Sequence, residues 1–198
     1  MKKPKFVTGE EAAAMIKDDS TIATIGMTLV SASETILKAI EKRFLETGSP
    51  NHLTLVHSCG QSDRDRGIQH FSHEEMLYRI IGGHWGLQPR MMKLISENKI
   101  LAYCIPQGQF AQLYRSMAGG EPGKITKVGL GTFIDPRIDG GKMNAITKDA
   151  PDIVDVVTID GEEYMRYKPI PLDYCIIRGT YVDDMGNLTT DEEAMQLE

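Results

Sequence analysis

A chain of 198 residues, 41% hydrophobic and 25% charged, suits one large globular domain or two small ones. Its formal charge of -6, without a basic run interleaved with aromatics, excludes a general nucleic-acid binder. No apolar run is long enough to span a bilayer and the basic N-terminus leads into no apolar leader, so a cytoplasmic protein without a membrane partner is expected.

Thr8 with Glu11 forms a capping box, and Ala12, Ala13, Met15 and Ile16 behind it predict a short helix. Thr21 to Ile25 reads as a strand. After a turn at Gly26, residues Ile36, Leu37, Ile40, Phe44 and Leu45 recur at helical spacing, and Gly48 and Pro50 stop that helix. Leu53 to Val56 is the next strand. Ser72 with Glu75 makes a second capping box, predicting a short helix that runs into a strand around Tyr78 to Ile81, broken by Gly82-Gly83-His84-Trp85-Gly86. Pro89 suits the start of a helix with Met91, Leu94 and Ile95 on one face. Leu101 to Ile105 then forms a strand. Phe110, Leu113, Tyr114 and Met117 mark a helix ended by Gly119-Gly120, and Ile125 to Leu130 is strand again. This alternation predicts an α/β fold over residues 1–198, an open, mainly parallel sheet with helices on both faces.

The pattern changes after Pro151. Val154 to Ile159 and Glu163 to Tyr167, joined by Asp160-Gly161, predict a small antiparallel flap near residues 153–168. Tyr174 to Ile177 returns to the main sheet, Asp184-Met185-Gly186-Asn187 is a turn, and Thr190 to Glu193 opens a helix. That helix has barely begun at Glu198, an ending that implies a fragment of something longer or a Leu197-Glu198 pair left by cloning.

Two Gly-rich turns, Pro106-Gln107-Gly108 and Gly129-Leu130-Gly131-Thr132-Phe133, follow strand-like runs, where open α/β sheets build their binding crevice. The second continues into a long polar loop, Ile134-Asp135-Pro136-Arg137 through Gly140-Gly141-Lys142-Met143-Asn144. His57, Cys59, Asp63 and Asp65 admit a reading as base, thiol nucleophile and orienting carboxylates, against inert packing of Cys59. His70, His73 and Glu74 fit a metal site less well than a solvated helix start, because a third ligand at sensible spacing is missing. His84 beside Trp85 is a pocket wall or a tight structural turn, and Arg64, Asp65 and Arg66 read as a loop pairing its own charges. Cys59, Cys104 and Cys175 include no Cys-x-x-Cys, which argues against a disulfide framework or structural zinc. The Gly26 turn lacks the glycine patterns of a dinucleotide site or a P-loop.

The segments Lys42-Arg43-Phe44-Leu45-Glu46-Thr47-Gly48, Asp65-Arg66-Gly67-Ile68, Gly83-His84-Trp85-Gly86, Glu97-Asn98-Lys99-Ile100 with Ala102-Tyr103, Pro106-Gln107-Gly108 and 129–142 resemble the N-terminal, α-type half of family I coenzyme A transferases. The resemblance covers essentially the whole chain and is strongest to the acetate/propionate branch. It implies a ping-pong exchange of CoA between short-chain acyl-CoA (acetyl-, propionyl- or acetoacetyl-) and carboxylates, through a glutamyl-CoA thioester. The nucleophilic glutamate of the family lies in a C-terminal, β-type half outside these residues. The resemblance therefore implies no catalytic nucleophile in this chain, no turnover by the chain alone, no metal, and no tightly bound cofactor, with CoA as substrate. The second half and further copies of the enzyme, in a homo-oligomer, are the implied partners.

Glu97 in Ser96-Glu97-Asn98 and Glu46 in Glu46-Thr47-Gly48 imitate the family's nucleophile motif. Both fall at predicted helix C-termini, whose negative dipole end stabilises no anionic attacking group. What the resemblance leaves to this chain is the opposite wall. Backbone amides at Gly26 and Met27 and groups at Ser58, Cys59 and Gly60 are candidate oxyanion donors. Gln107, Gly108, Gly131, Thr132 and Phe133 are candidates for lining the acyl or carboxylate pocket. The two-subunit relatives carry an Asn-rich turn in place of Ser58-Cys59-Gly60, and a longer Gly-Gly-Phe-Gly loop in place of Gly26-Met27-Thr28-Leu29. Rival readings are a sugar-phosphate isomerase or deaminase, which needs a basic phosphate cradle and an internal acid/base pair, and a docking module with an exposed apolar face.

Overall fold

The computed structural model of the protein describes residues 3–194. Helix α1 (Gly9–Met15) starts at the expected capping box, the Thr8 Oγ1 accepting from the Glu11 N–H while the Glu11 carboxylate accepts from the Thr8 N–H. Strand β1 (Thr21–Thr24) leads through the Gly26 turn to α2 (Glu34–Thr47), whose Leu37 and Ile40 are buried, each by about 2–3 kcal/mol of transfer free energy. Gly48 closes α2 in the left-handed conformation, φ 73°, its N–H reaching the Phe44 carbonyl. Arg43 of α2 donates to the carbonyls of Ala13 and Ile16, satisfying the open end of α1.

Next come β2 (Leu53–His57), a 3-10 turn over Gly67–Phe71, β3 (Leu77–Gly82), α3 (Pro89–Ser96) with proline in its first turn, β4 (Leu101–Cys104) and α4 (Gln107–Ala118). A short strand β5 (Lys124–Thr126) and a one-turn helix α5 (Ala145–Lys148) precede the flap strands β6 (Val154–Ile159) and β7 (Glu162–Tyr167). Then follow β8 (Tyr174–Ile176) and a small hairpin of β9 (Tyr181–Val182) and β10 (Leu188–Thr189).

The main sheet is five-stranded in the order β4-β3-β2-β1-β8, and every pairing is parallel. Elements α1, α2, the 3-10 turn and α3 pack on one face, around Ile22, Leu55, Ile80 and Met91. The other face is covered by α4 and the flap, around Val56, Ile81, Tyr103, Phe110 and Met165. The strands are thus buried from both sides, as parallel strands require. Among the described residues, no helix is long and apolar enough to cross a membrane.

Some elements depart from the sequence-based expectation. Of the run Ile125 to Leu130 only Ile125 and Thr126 are strand, and with Lys124 they join the flap, antiparallel to β7, so that the flap has three strands in the order β5-β7-β6. The residues after Ser72 form a turn rather than a helix: the Ser72 hydroxyl donates back to the Gln69 side chain instead of capping the turn that follows. Pro106-Gln107-Gly108 opens α4 instead of forming a free turn. Residues 190–194 contain no helix, and the remainder of that expected element lies outside the described residues.

Candidate functional site

Three segments that follow the C-terminal ends of parallel strands β1, β2 and β4 enclose a cleft of about 240 Å³. After β1 come Ile25, Gly26 and Met27; after β2, Ser58 and Cys59; after β4, Gln107, Gly108 and Ala111 of α4. Ligand crevices of open α/β sheets lie at this edge, where loops from neighbouring strands meet. The Gln109 N–H turns back to the Pro106 carbonyl at 2.9 Å, whereas the N–H groups of Gln107 and Gly108 lie ahead of the first intrahelical bond, and Pro106 at the N-cap offers no side-chain acceptor, so these two residues present the positive end of the helix to the cleft.

The Gly26 turn is pinned to its neighbour. Gly26 has φ 143°, and Met27 and Val30 exchange backbone hydrogen bonds of 3.1 and 2.9 Å. The Thr28 N–H donates to the Gly60 carbonyl at 2.8 Å, so Gly60 ties the two strand-end loops together from beside the cleft wall. Gly83 sits where the other two segments meet: a Cβ there would lie 2.3 Å from the Ser58 carbonyl oxygen and 2.8 Å from Gln107 Cγ. Absence of a side chain at Gly83 is what lets these segments approach.

Behind the wall lies a polar network that the sequence does not announce. His57 is fully buried, its Nδ1 bonded to the Cys59 carbonyl at 2.7 Å and its Nε2 to Trp85 Nε1 at 3.1 Å. Burial drives its pKa down to about 4, against the hydrogen bond to Cys59. The buried Gln61 carboxamide clasps Thr24, accepting from its hydroxyl at 2.6 Å and donating to its carbonyl at 2.9 Å. The Gln88 amide, oriented by its hydrogen-bonding surroundings, donates to the carbonyls of His84 and Trp85 and accepts from the Gln61 N–H. These contacts hold the strand-end loops rigid from below. The available sequence signals were His57 next to Ser58-Cys59 and a Trp between glycines.

The thiol-dyad reading of His57 and Cys59 is overturned, because His57 meets the carbonyl of Cys59 and spends its other nitrogen on Trp85. Asp63 is committed to Arg66 at 2.7 Å, which together with backbone donors brings its pKa to about 2. Trp85 is buried and structural, whereas His84 is exposed. The solvated helix start read at His70 is also replaced: His70 is buried, with Nδ1 at 2.5 Å from Glu41 and Nε2 at 2.9 Å from Glu34, and His73 adds a 2.8 Å contact to Glu41. Among the described residues no group of three or more His, Cys, Asp or Glu side chains is arranged so that it could hold a metal ion.

Gly131, Thr132 and Phe133 do not line the cleft. Their loop folds around buried Asp135, whose carboxylate accepts from the Gly131 N–H, the Arg137 N–H and the Arg137 guanidinium, which hold it far below the usual carboxylate range. Arg137 in turn reaches Glu163 of the flap at 2.8 Å. Gly141 anchors the loop to the sheet edge, donating to the Phe133 carbonyl and accepting from the Cys104 N–H.

A parallel sheet whose strand-end loops and one helix N-terminus converge on a small cleft defines an open α/β domain, a class whose binding crevices lie at the C-terminal sheet edge. The family model described as Coenzyme A transferase matches residues 6–198, and the chain belongs to that family. It is 40% identical over 190 residues to a caffeate CoA-transferase of Acetobacterium woodii, covering 96% of this chain and 36% of that protein. It superposes on an acyl-CoA transferase (YdiF) apoenzyme of Escherichia coli O157:H7 with a TM-score of 0.90 and 35% identity, over 98% of this chain and 39% of that one. An acetate CoA-transferase subunit alpha of Escherichia coli K12 is 25% identical over 187 residues, which are 94% of this chain and 75% of that subunit. The chain thus spans little more than a third of its long relatives and three quarters of the subunit.

Proposed function

We propose that this chain is the N-terminal, α-type portion of a CoA-transferase that exchanges CoA between short-chain acyl-CoA and carboxylates in the cytoplasm. The second, β-type portion supplies the nucleophile, and the complete enzyme is a homo-oligomer. Convergence of Gly26, Ser58 and Gln107 on one cleft, in a chain of this family, is the observation that carries the reading.

In the proposed reaction a glutamate carboxylate from the second portion attacks the thioester carbonyl, and the C–S bond breaks to release CoA thiolate and leave an acyl-glutamyl anhydride. The thiolate attacks the glutamyl carbonyl of the anhydride and expels the first carboxylate, leaving a glutamyl-CoA thioester. A second carboxylate then reverses both steps and departs as acyl-CoA. Each addition places negative charge on a carbonyl oxygen, and donors aimed at that oxygen are worth about 3–4 kcal/mol apiece. The Gln107 and Gly108 amides, the Gln107 carboxamide and groups of Ser58 and Cys59 are the proposed donors, with the Gly26 amide facing them, whereas the Met27 amide expected to share this task is taken by the Val30 carbonyl and leaves Met27 as wall. Gly60 positions that wall. In this reading Gly131, Thr132 and Phe133 meet the substrate or the second portion from the rim of the same sheet edge.

Glu46 and Glu97 are no substitutes for the missing nucleophile. They stand at the C-terminal ends of α2 and α3, and helices that run antiparallel to their strands end at the sheet edge opposite the cleft. The test is CoA exchange from propionyl-CoA to acetate, by this chain alone and by the protein from the full reading frame. Exchange only by the longer protein is expected, lowered by about 10²-fold in Gln107→Leu. Turnover by the 198-residue chain, or none by a folded longer protein, overturns the reading.

A further inference from the structure

The cleft offers donors to a carbonyl oxygen, but its lining holds no basic side chain to meet a full negative charge. Strand order shows which residue stands nearest to that task. The sheet places β3 between β2 and β4, so the segment that follows β3 emerges between the Ser58 and Gln107 walls, at the same C-terminal edge. Gly83 is the residue wedged between those walls. The next residue is His84, exposed to solvent at the rim.

His84 is held firmly and left unspent. Its carbonyl accepts from the buried Gln88 amide, and the neighbouring Trp85 is buried with its indole on His57, so the backbone is fixed on both sides. The ring lies against two glycines. A Cβ on Gly60 would stand 2.7 Å from its Nδ1, and one on Gly86 would stand 3.0 Å from its Cε1 and 3.1 Å from its Nε2, so neither position accepts a side chain without moving the imidazole. The chain has five histidines. His52, His57, His70 and His73 all commit ring nitrogens to protein partners, whereas the His84 ring has no hydrogen-bond partner among the described residues. An imidazole placed by packing, beside the cleft wall and with both nitrogens open, is a ready donor for a ligand.

We propose that His84 is a substrate-binding residue that donates a ring N–H to the carboxylate of the short-chain acid at the mouth of the cleft, while Ile25, Met27 and Ala111 receive the alkyl chain. The proposal rests on the transferase reading, which makes a free carboxylate both the first product and the second substrate. A small carboxylate sheds water on entering the cleft, and a hydrogen bond to an ionised acceptor, one of the stronger kinds, offsets that cost.

Histidine modification by diethyl pyrocarbonate, resolved by peptide mass spectrometry on the product of the full reading frame, tests it without turnover. An excess of propionate should slow modification of His84 at least ~5-fold, and propionamide should not. His52, exposed just ahead of β2 at the opposite edge of the sheet, should keep its rate and serves as the control. In the same protein His84→Ala should raise the KM for acetate by about 10-fold with little change in kcat, and His84→Gln, which keeps an N–H donor, should recover most of the affinity. Four outcomes overturn the proposal: no protection by propionate; equal protection by propionamide, which means filling of a crevice; a His84 that resists the reagent without any ligand, which means it is covered; or a loss of kcat at unchanged KM in both variants, which means a structural role. Absence of CoA exchange in the folded, unmutated product sinks the transferase reading by itself, and protection by propionate still decides whether His84 binds a carboxylate.

Discussion

Trp85 donates its only N–H to Nε2 of His57, which fixes the proton of His57 on Nδ1 and aims that proton at the Cys59 carbonyl. One indole thereby sets the orientation of the loop that walls the cleft.

Protonating His57 would set two N–H groups head to head against Trp85. With a folded pKa of about 4, below the ordinary value of 6.5, the unfolded chain takes up this proton first as pH falls. Stability from this group is therefore complete above about pH 6.5 and declines as pH falls toward 4, by up to roughly 3 kcal/mol. Urea titrations of the protein and of His57→Gln between pH 4 and 7 check the sign: the variant should show a flatter acid limb. Nitrogen NMR at neutral pH should show His57 in the Nδ1–H form.

Gly82 and Gly83 carry separate loads. A Cβ on Gly82 would sit 2.5 Å from His57 Nε2 and 2.7 Å from Trp85 Nε1, wedging the pair apart. Gly82→Ala should cost about 1–3 kcal/mol in urea unfolding. Gly83→Ala presses on Ser58 and Gln107 instead, and in the complete enzyme should lower kcat/KM by about 10²-fold through misplacement of the cleft walls.

His70 bridges two elements. Both ring nitrogens face carboxylates of α2, and the Gly67 N–H donates to Glu34 as well. Burial raises Glu41 and Glu34, but hydrogen bonds from the histidines, joined at Glu34 by that of Gly67, outweigh it and leave both below the ordinary carboxylate range. Their contribution is full above about pH 4.5 and is lost as pH falls through the lowered values. His70→Ala should destabilise the chain by about 2–4 kcal/mol at pH 7, read by chemical denaturation, since it leaves two partly buried carboxylates short of a donor.

Asp135→Asn removes the charge around which the 129–137 loop is wound. Amide exchange at Gly131 and Arg137 should accelerate at least ~10-fold, while amides of β1 and β2 keep their rates.

Local grammar was the readable part of the chain. Thr8 and Glu11, Gly48, Pro89 and the Asp160-Gly161 pair, with φ of 53° and 83°, each dictate a conformation through their own backbone chemistry, and each is found where expected. The Ser72 box fails because the Ser72 hydroxyl turns back to Gln69 of the preceding 3-10 turn, and the run from Ile125 is apolar enough for a strand without specifying which sheet receives it. Of the candidate residues, Gly26, Met27, Ser58, Cys59, Gln107 and Gly108 line one cleft, since a parallel sheet delivers strand-end positions to one edge. The network of Gln61, Gln88, His57 and Trp85 escaped sequence reasoning. Hydrogen bonds between residues dozens of positions apart leave no periodic trace.

The pairing of β1 with β8 also has a temporal side. Thr21 donates its N–H to the Asp173 carboxylate across 152 residues of sequence, and Ile22 pairs with Tyr174. On the ribosome, strand β1 must wait for about 150 further residues to be synthesised before its second neighbour exists, an interval of roughly 8–30 s at ordinary elongation rates. During that time an apolar strand edge is presented to the cell, so the burden this fold places on chaperones is set by chain order more than by final stability.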